Sequence, residues 1–275
     1  MSATRPILRY HGGKWKLADW IIGFFPPHRV YVEPYGGAAS VLLQKQRSYG
    51  EVYNDLDREM VNLFRVTREK GKDLAKALEL TPFARDEYRE SFDFSDDPME
   101  QARRTVIRSM MGFGSNALCR EIKSGFRSNS NRSGTIPAHD WSNYPDVLRQ
   151  IIERLKGVVI ENKDAMEVSL QHDSIETLHY LDPPYVHSTR SSKMHGHHGY
   201  NFEMSEEQHR EMAEIARELK GIVIISGYEC ELYSDELFAD WYREERASLA
   251  DGALDRTEVL WMNRKLARQE VMEFS

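Results

Sequence analysis

Thr177-Leu178-His179-Tyr180-Leu181-Asp182-Pro183-Pro184-Tyr185 is the stretch whose reading decides the fold. Its first five residues are compact, apolar and aromatic, the composition of a short buried strand. Pro183 then forces Asp182 into extended geometry, and two adjacent prolines leave little freedom in φ. The run that follows, residues 186–199, is polar and rich in Ser, His and Gly. An Asp, two prolines and a Tyr therefore stand where a strand ends and a loop begins, the edge at which open α/β sheets bind ligands. Neither proline carries an N–H, so carbonyls and the Asp182 carboxylate dominate as acceptors. Acceptors beside the flat face of Tyr185 suit a planar ligand bearing an amino group. A Pro-rich turn closed by a packed Tyr fits the tetrapeptide equally well.

Working outward, Val30-Tyr31-Val32-Glu33 reads as a strand. It is followed by the turn Pro34-Tyr35-Gly36-Gly37-Ala38-Ala39-Ser40 and a helix over residues 41–46. Strand, small-residue turn and helix is the layout of a nucleotide or cofactor loop, because small residues let backbone approach a ligand. The turn lacks the G-x-G-x-x-G spacing, so a plain strand–helix turn stays open. Residues 51–55 form the next strand, ending on Asp55, 22 residues after Glu33. An acid there accepts ribose hydroxyls or caps a helix over 56–68, and the two roles are compatible. Gly12-Gly13-Lys14 fails the phosphate-loop pattern and reads as a tight turn into a helix over 14–24. Further strands are expected at 158–161, 221–226, 241–246 and 258–263. Asp164 caps a helix or holds a ligand, and Ser205 caps a helix to Lys220.

Between about 71 and 155 the alternation breaks into helical stretches at 83–91, 99–111 and 144–155. Residues 101–134 carry seven basic side chains against Glu121 alone, a local balance of +6 in a chain of net charge −7. Arg, Lys and Asn in that density suit phosphate and base-edge contacts; a solvated basic loop is the bland alternative. The 275 residues are 40% hydrophobic and 29% charged, the composition of an ordered globular chain. Two distant cysteines, no signal-like leader and no membrane-length apolar run fit a reducing, cytoplasmic setting. The loop histidines His187, His195, His197 and His198 read as solvated, with no strand or helix to fix them as metal ligands.

Tyr10-His11-Gly12-Gly13-Lys14, Glu33-Pro34-Tyr35-Gly36-Gly37, Asp55 and Asp182-Pro183-Pro184-Tyr185 occur in the order seen in Dam-type DNA adenine-N6 methyltransferases, which the chain resembles along nearly its whole length. Ala39 stands where that family often has Gly, and Tyr35 where Phe is usual. The resemblance implies a Rossmann-like class I methyltransferase α/β sheet from residues 1–70 and 155–275, with an inserted, mostly helical target-recognition domain at 71–154. It implies S-adenosylmethionine as cofactor, touched by Tyr10, Lys14, Glu33, Pro34, Tyr35, Gly36, Gly37, Asp55, Asp164 and Asp182. Asp182, Pro183, Pro184 and Tyr185 become the catalytic set. Asn116, Arg120, Lys123, Arg127, Asn129 and Arg132 become DNA contacts, with duplex DNA as the partner. No metal and no obligate protein partner are implied, and the chain is expected to act as a monomer, bacterial or phage-encoded.

The chemistry then reads physically. The adenine N6 lone pair is delocalised into the ring. Asp182 and the Pro183 carbonyl accept its two N–H bonds and aim the lone pair at the methyl for direct in-line transfer. A base inside the duplex cannot reach such a site, so it is flipped out and stacked on Tyr185, with the loop 187–199 closing over it. Asn116-Ala117-Leu118-Cys119-Arg120 resembles the family's target-recognition hairpin segment, and Arg120 within it is expected to read a guanine. Arg120→Ala should relax preference at one base pair by about 1–3 kcal/mol of discrimination, measured by methylation across single-base site variants. Uniform loss at every variant would instead make it a phosphate contact.

Overall fold

The computed structural model describes residues 3–10, 12–114, 124–129, 134–186, 202–250 and 254–268. Seven strands form one mixed sheet: β1 Val30–Glu33, β2 Gly50–Asn54, β3 Val158–Glu161, β4 Thr177–Leu181, β5 Ile222–Tyr228, β6 Tyr242–Ala250 and β7 Leu254–Met262, in the order β3-β2-β1-β4-β5-β7-β6. β1 pairs in parallel with both β2 and β4, and β4 with β5. β7 runs antiparallel to β5 and to β6. The parallel strands are short apolar runs buried on both faces, as a helix-covered parallel sheet requires. The α/β reading is therefore correct, and β1, β3 and β4 have the expected bounds.

The chain divides into two compact units, one of Met1–Trp15, Gly37–Gln46 and Asp57–Ile160, the other of Lys16–Gly36, Arg47–Leu56 and Glu161–Ser275. In the second unit, α1 is Ala18–Ile22, α8 is Ala165–Gln171 and α9 is Glu206–Glu218. α1 is shorter than the helix expected over 14–24. Ser205 caps α9 in a full capping box with Gln208, as its residue type predicts. A π-helical turn, Leu232–Leu237, follows β5. Val223, Ile225, Leu181, Met212, Phe238 and Trp261 form the main core of this unit.

The first unit carries α2 Ser40–Gln44, α3 Arg58–Leu80, α4 Arg85–Glu90, α5 Pro98–Met111, α6 Pro137–Ser142 and α7 Tyr144–Arg154. α3 is capped by Asp57, whose carboxylate accepts the Glu59 N–H at 2.8 Å, and not by Asp55. It also continues to Leu80, twelve residues past the expected end. Lys70 leaves helical geometry (φ −128°, ψ 26°), so α3 is two helical segments joined at a kink two residues past the expected end, and a Cβ on Gly71 would lie 2.5 Å from Ile152 Cγ1, which marks close packing against α7.

The basic character read at 101–134 is corrected by the same helices. Arg108 is fully buried and paired with Glu59, which also accepts from Thr105 (2.6 Å) and Gln101 (2.9 Å). Arg103 bridges Glu100 (2.7 Å) and Glu87 (2.8 Å), and Arg104 pairs with Glu100 at 2.7 Å. Three of the seven basic side chains thus neutralise acids of their own unit.

In the second unit, one polar pair ties the amino ends of β4 and β5. His179 is buried beside Val32 and Val223, with Nε2 3.2 Å from Asp173 Oδ1. Asp173 also accepts the N–H groups of Lys220 and Gly221 at 3.0 Å each. Burial depresses the imidazole from about 6.5 to about 4 against the opposing pull of Asp173, so His179 is neutral at pH 7 and donates through Nε2. A His with a lowered folded-state pKa stabilises above its unfolded value and loses that contribution as pH falls. Relative to His179→Leu, the wild-type chain should therefore lose roughly 3 kcal/mol between pH 6.5 and 4. Urea midpoints across that range test it, and a constant difference would contradict it.

Candidate active site

The carboxyl ends of β1, β2, β4 and β5 share one edge because the four strands are parallel. Val32 lies beside Val52 and His179, and Leu181 beside Ile225. From β1 the chain proceeds outward to β2, whereas β4 leads the other way to β5. The crevice between β1 and β4 is therefore the topological switch point, where open α/β sheets bind ligands. Within the second unit it receives Glu33, Pro34, Tyr35 and Gly36 from β1, Asp55 from β2, Asp164 after β3, and Asp182 to Tyr185 from β4.

At the end of β1, Glu33 is buried and accepts the Tyr31 hydroxyl at 2.7 Å. Burial, then the Glu33 charge, raises the Tyr31 phenol far above its ordinary range, so it stays a donor. Tyr35 is held neutral in the same way by burial and by the Asp164 charge, which sets Tyr35 beside Asp164 electrostatically. Gly36 donates its N–H to Asn54 O at 2.8 Å. A Cβ there would sit 2.2 Å from the Tyr53 ring, so the glycine is demanded by β2 itself.

Asn54, fully buried, was passed over in the sequence. Its amide donates to Pro34 O (2.9 Å) and Lys163 O (3.0 Å), and its Oδ1 accepts the Lys163 N–H at 2.9 Å. One side chain thereby pins three strand-end loops. Asn162 adds a second tie, donating to Asp55 O at 2.7 Å. Asp55 is left half-exposed. Asp164 is exposed and accepts the N–H groups of Met166 (2.9 Å) and Glu167 (3.1 Å) through Oδ1, capping α8.

At the end of β4, Asp182 is half-buried and its Oδ1 accepts the Ser226 hydroxyl of β5 at 2.9 Å. Ser226 lies 2.9 Å from the Tyr180 hydroxyl. Pro183 is buried and Pro184 partly so. Tyr185 is 8% exposed and donates its hydroxyl to Glu258 Oε1 at 2.9 Å, its ring packed against Tyr228 with centroids 4.4 Å apart. The antiparallel run of β7 is what delivers Glu258 to this edge, opposite Tyr228. Neither Glu258 nor Ser226 was singled out in the sequence.

In the first unit, the ring of Tyr10 lies under Gly37, where a Cβ would be 2.9 Å from Tyr10 Cε1, and Gly37 has φ +48°. Ala39 is left-handed too, at φ +52°. Lys14 is buried and donates to Gly12 O at 3.1 Å. Arg127 donates to Met110 O at 3.1 Å, and Asn129 is exposed. Asn116, Arg120, Lys123 and Arg132 lie outside the described residues, as does the loop 187–199. Among the described residues there is no cluster of metal-ligating side chains and no helix long and apolar enough to cross a membrane.

Because Asn54 fills three backbone hydrogen bonds at once, Asn54→Ala strands buried partners. It should lower stability by about 1–3 kcal/mol. Denaturant titration checks this; an unchanged midpoint would show that Asn54 is not the tie.

Residues 10–253 match the family described as D12 class N6 adenine-specific DNA methyltransferase. A DNA adenine methylase of Haemophilus influenzae is 26% identical over 229 residues, covering 78% of this chain and 75% of its own length. That of Escherichia coli K12 is 23% identical over 257 residues, covering 90% and 87%. Among solved structures, a SAM-dependent methyltransferase from Agrobacterium tumefaciens aligns at 10% identity and a TM-score of 0.38, covering 91% of this chain and 61% of that one. The match to the family takes in both glycine turns' neighbourhood, Asp55, Asp164 and the Asp182–Tyr185 strand end, and the chain belongs to the D12 class of N6 adenine-specific DNA methyltransferases.

Proposed function

We propose that the switch-point edge between β1 and β4 is the methyl-transfer site, with Asp182 and the Pro183 carbonyl receiving the target amino group and Asp55 and Asp164 holding the cofactor. The activity is adenine-specific methylation of DNA, with S-adenosylmethionine as methyl donor. The observation that carries the residue assignment is the gathering of Asp55, Asp164 and Asp182 on one strand edge at the switch point. The acceptor chemistry fits the cofactor. Half-exposed Asp55 suits the ribose hydroxyls, and exposed Asp164 beside Tyr35 suits the adenine end. When bound, S-adenosylmethionine supplies an electrophilic sulfonium methyl.

The protein's own part is orientation. Asp182 and the Pro183 carbonyl accept the two N6–H bonds, which localises the lone pair and fixes its direction. Tyr185 offers an aromatic face whose plane is set in advance by Glu258 and Tyr228. The base is flipped from double-stranded DNA to reach this edge. The target-recognition domain is read at 71–154, with Arg127 and Asn129 among its DNA contacts, and the catalytic domain at 1–70 and 155–275. A monomer acting on cytoplasmic DNA is the accompanying reading.

Asp182→Ala should cut methyl transfer about a hundredfold or more while leaving cofactor affinity nearly intact. Asp55→Ala should weaken cofactor binding about tenfold or more. Nucleoside analysis for N6-methyladenine and calorimetry with the cofactor read the two effects separately. Equal loss of cofactor affinity in both variants would overturn the division of roles.

A further inference from the structure

We infer that Ser226, backed by Tyr180, is a positioning residue that sets the Asp182 carboxylate before substrate arrives; the inference rests on the role of Asp182 proposed above. An ionised carboxylate only accepts, so the 2.9 Å contact from Ser226 Oγ to Asp182 Oδ1 consumes the single hydroxyl proton of Ser226. Ser226 must then accept from Tyr180, whose hydroxyl lies 2.9 Å away. The chain has one direction: Tyr180 to Ser226 to Asp182. Both hydroxyl residues are buried, at 1% and 0% exposure, on the neighbouring strands β4 and β5. Burial first, and then the Asp182 charge, keeps the Tyr180 phenol protonated, so it holds the proton that this direction requires.

The consequence is geometric. With Oδ1 directed back to Ser226, rotation of the carboxylate is restricted, which narrows the orientations from which Asp182 meets an amino group. Holding an acceptor within a narrow cone is what makes orientation productive, and rigid strands hold it better than a loop. Ser226 touches no reacting atom in this scheme and acts only through Asp182.

The test is a double-mutant cycle on the full chain with duplex DNA and S-adenosylmethionine. Ser226→Ala should lower kcat about ten- to hundredfold, the loss of one hydrogen bond to a charged group. KM for DNA and Kd for the cofactor should stay within about threefold. Ser226→Thr, which keeps the hydroxyl on the same Cβ, should recover most of kcat. Tyr180→Phe should lose less than Ser226→Ala, and the double variant should be no slower than Ser226→Ala alone, because Tyr180 reaches Asp182 only through Ser226. An unchanged kcat in Ser226→Ala, a rise in KM alone, or additive losses in the double variant would overturn the inference. Should Ser226→Ala not fold, Tyr180→Phe decides: a kcat-only loss supports the chain and full activity refutes it. Asp182→Ala run alongside separates the two levels. If it retains transfer, the role of Asp182 falls; if it loses transfer while Ser226→Ala does not, only the positioning falls.

Discussion

The parallel pairing of β4 with β1 places Leu178 beside Tyr31 and His179 beside Val32, and brings residues nearly 150 positions apart onto one edge. Parallel strands end on the same side, so this register carries Asp182 to the edge at the level of Tyr35, two residues beyond Glu33. It also makes the edge a place where strand-end carbonyls and side chains have no further ladder to join. Such groups must find partners in loops or in ligands. Asn54 is the loop answer, closing the backbone of Pro34 and Lys163. The carboxylates of Asp55, Asp164 and Asp182 are what the edge presents beyond it.

Three acids, Glu33, Asp182 and Glu258, act electrostatically on one buried phenol, that of Tyr180. Like charges gathered in a poorly solvated region repel, and a hydrogen-bond donor to each offsets part of that cost. The structure gives each a hydroxyl: Tyr31 to Glu33, Ser226 to Asp182 and Tyr185 to Glu258. Hydroxyls are suited to this work because they add no charge of their own. An arginine there would neutralise the acid it touched and compete with an incoming amino group for the same oxygen.

Much of this edge was legible in the residues. Acids and prolines closing short apolar runs announce strand ends, and their order along the chain matched a known arrangement. What stayed hidden depended on pairing or on which of two equals was used. Asp55 and Asp57 both suit a helix cap, and only the start of α3 at Arg58 shows that Asp57 takes the role. The close approach of Gly71 to Ile152, just after the kink at Lys70, leaves no local trace. The Glu100 spacing to Arg103 and Arg104, three and four residues on, did carry a warning that those charges were matched within a helix. Ser226 closes a strand read as apolar, a polar residue whose purpose appears only when β4 is set beside it. Glu258 arrives from 73 residues beyond Tyr185 on an antiparallel strand, and no local pattern in the chain encodes that meeting.

The late arrival of β7 bears on how the enzyme comes into being. During synthesis the N-terminal segments emerge first, and β1, β2 and β4 can associate before residue 254 exists. Tyr185 then lacks Glu258, and the strand end lacks its hydroxyl anchor. The Tyr185–Glu258 hydrogen bond can form only once β7, paired with β6, joins β5.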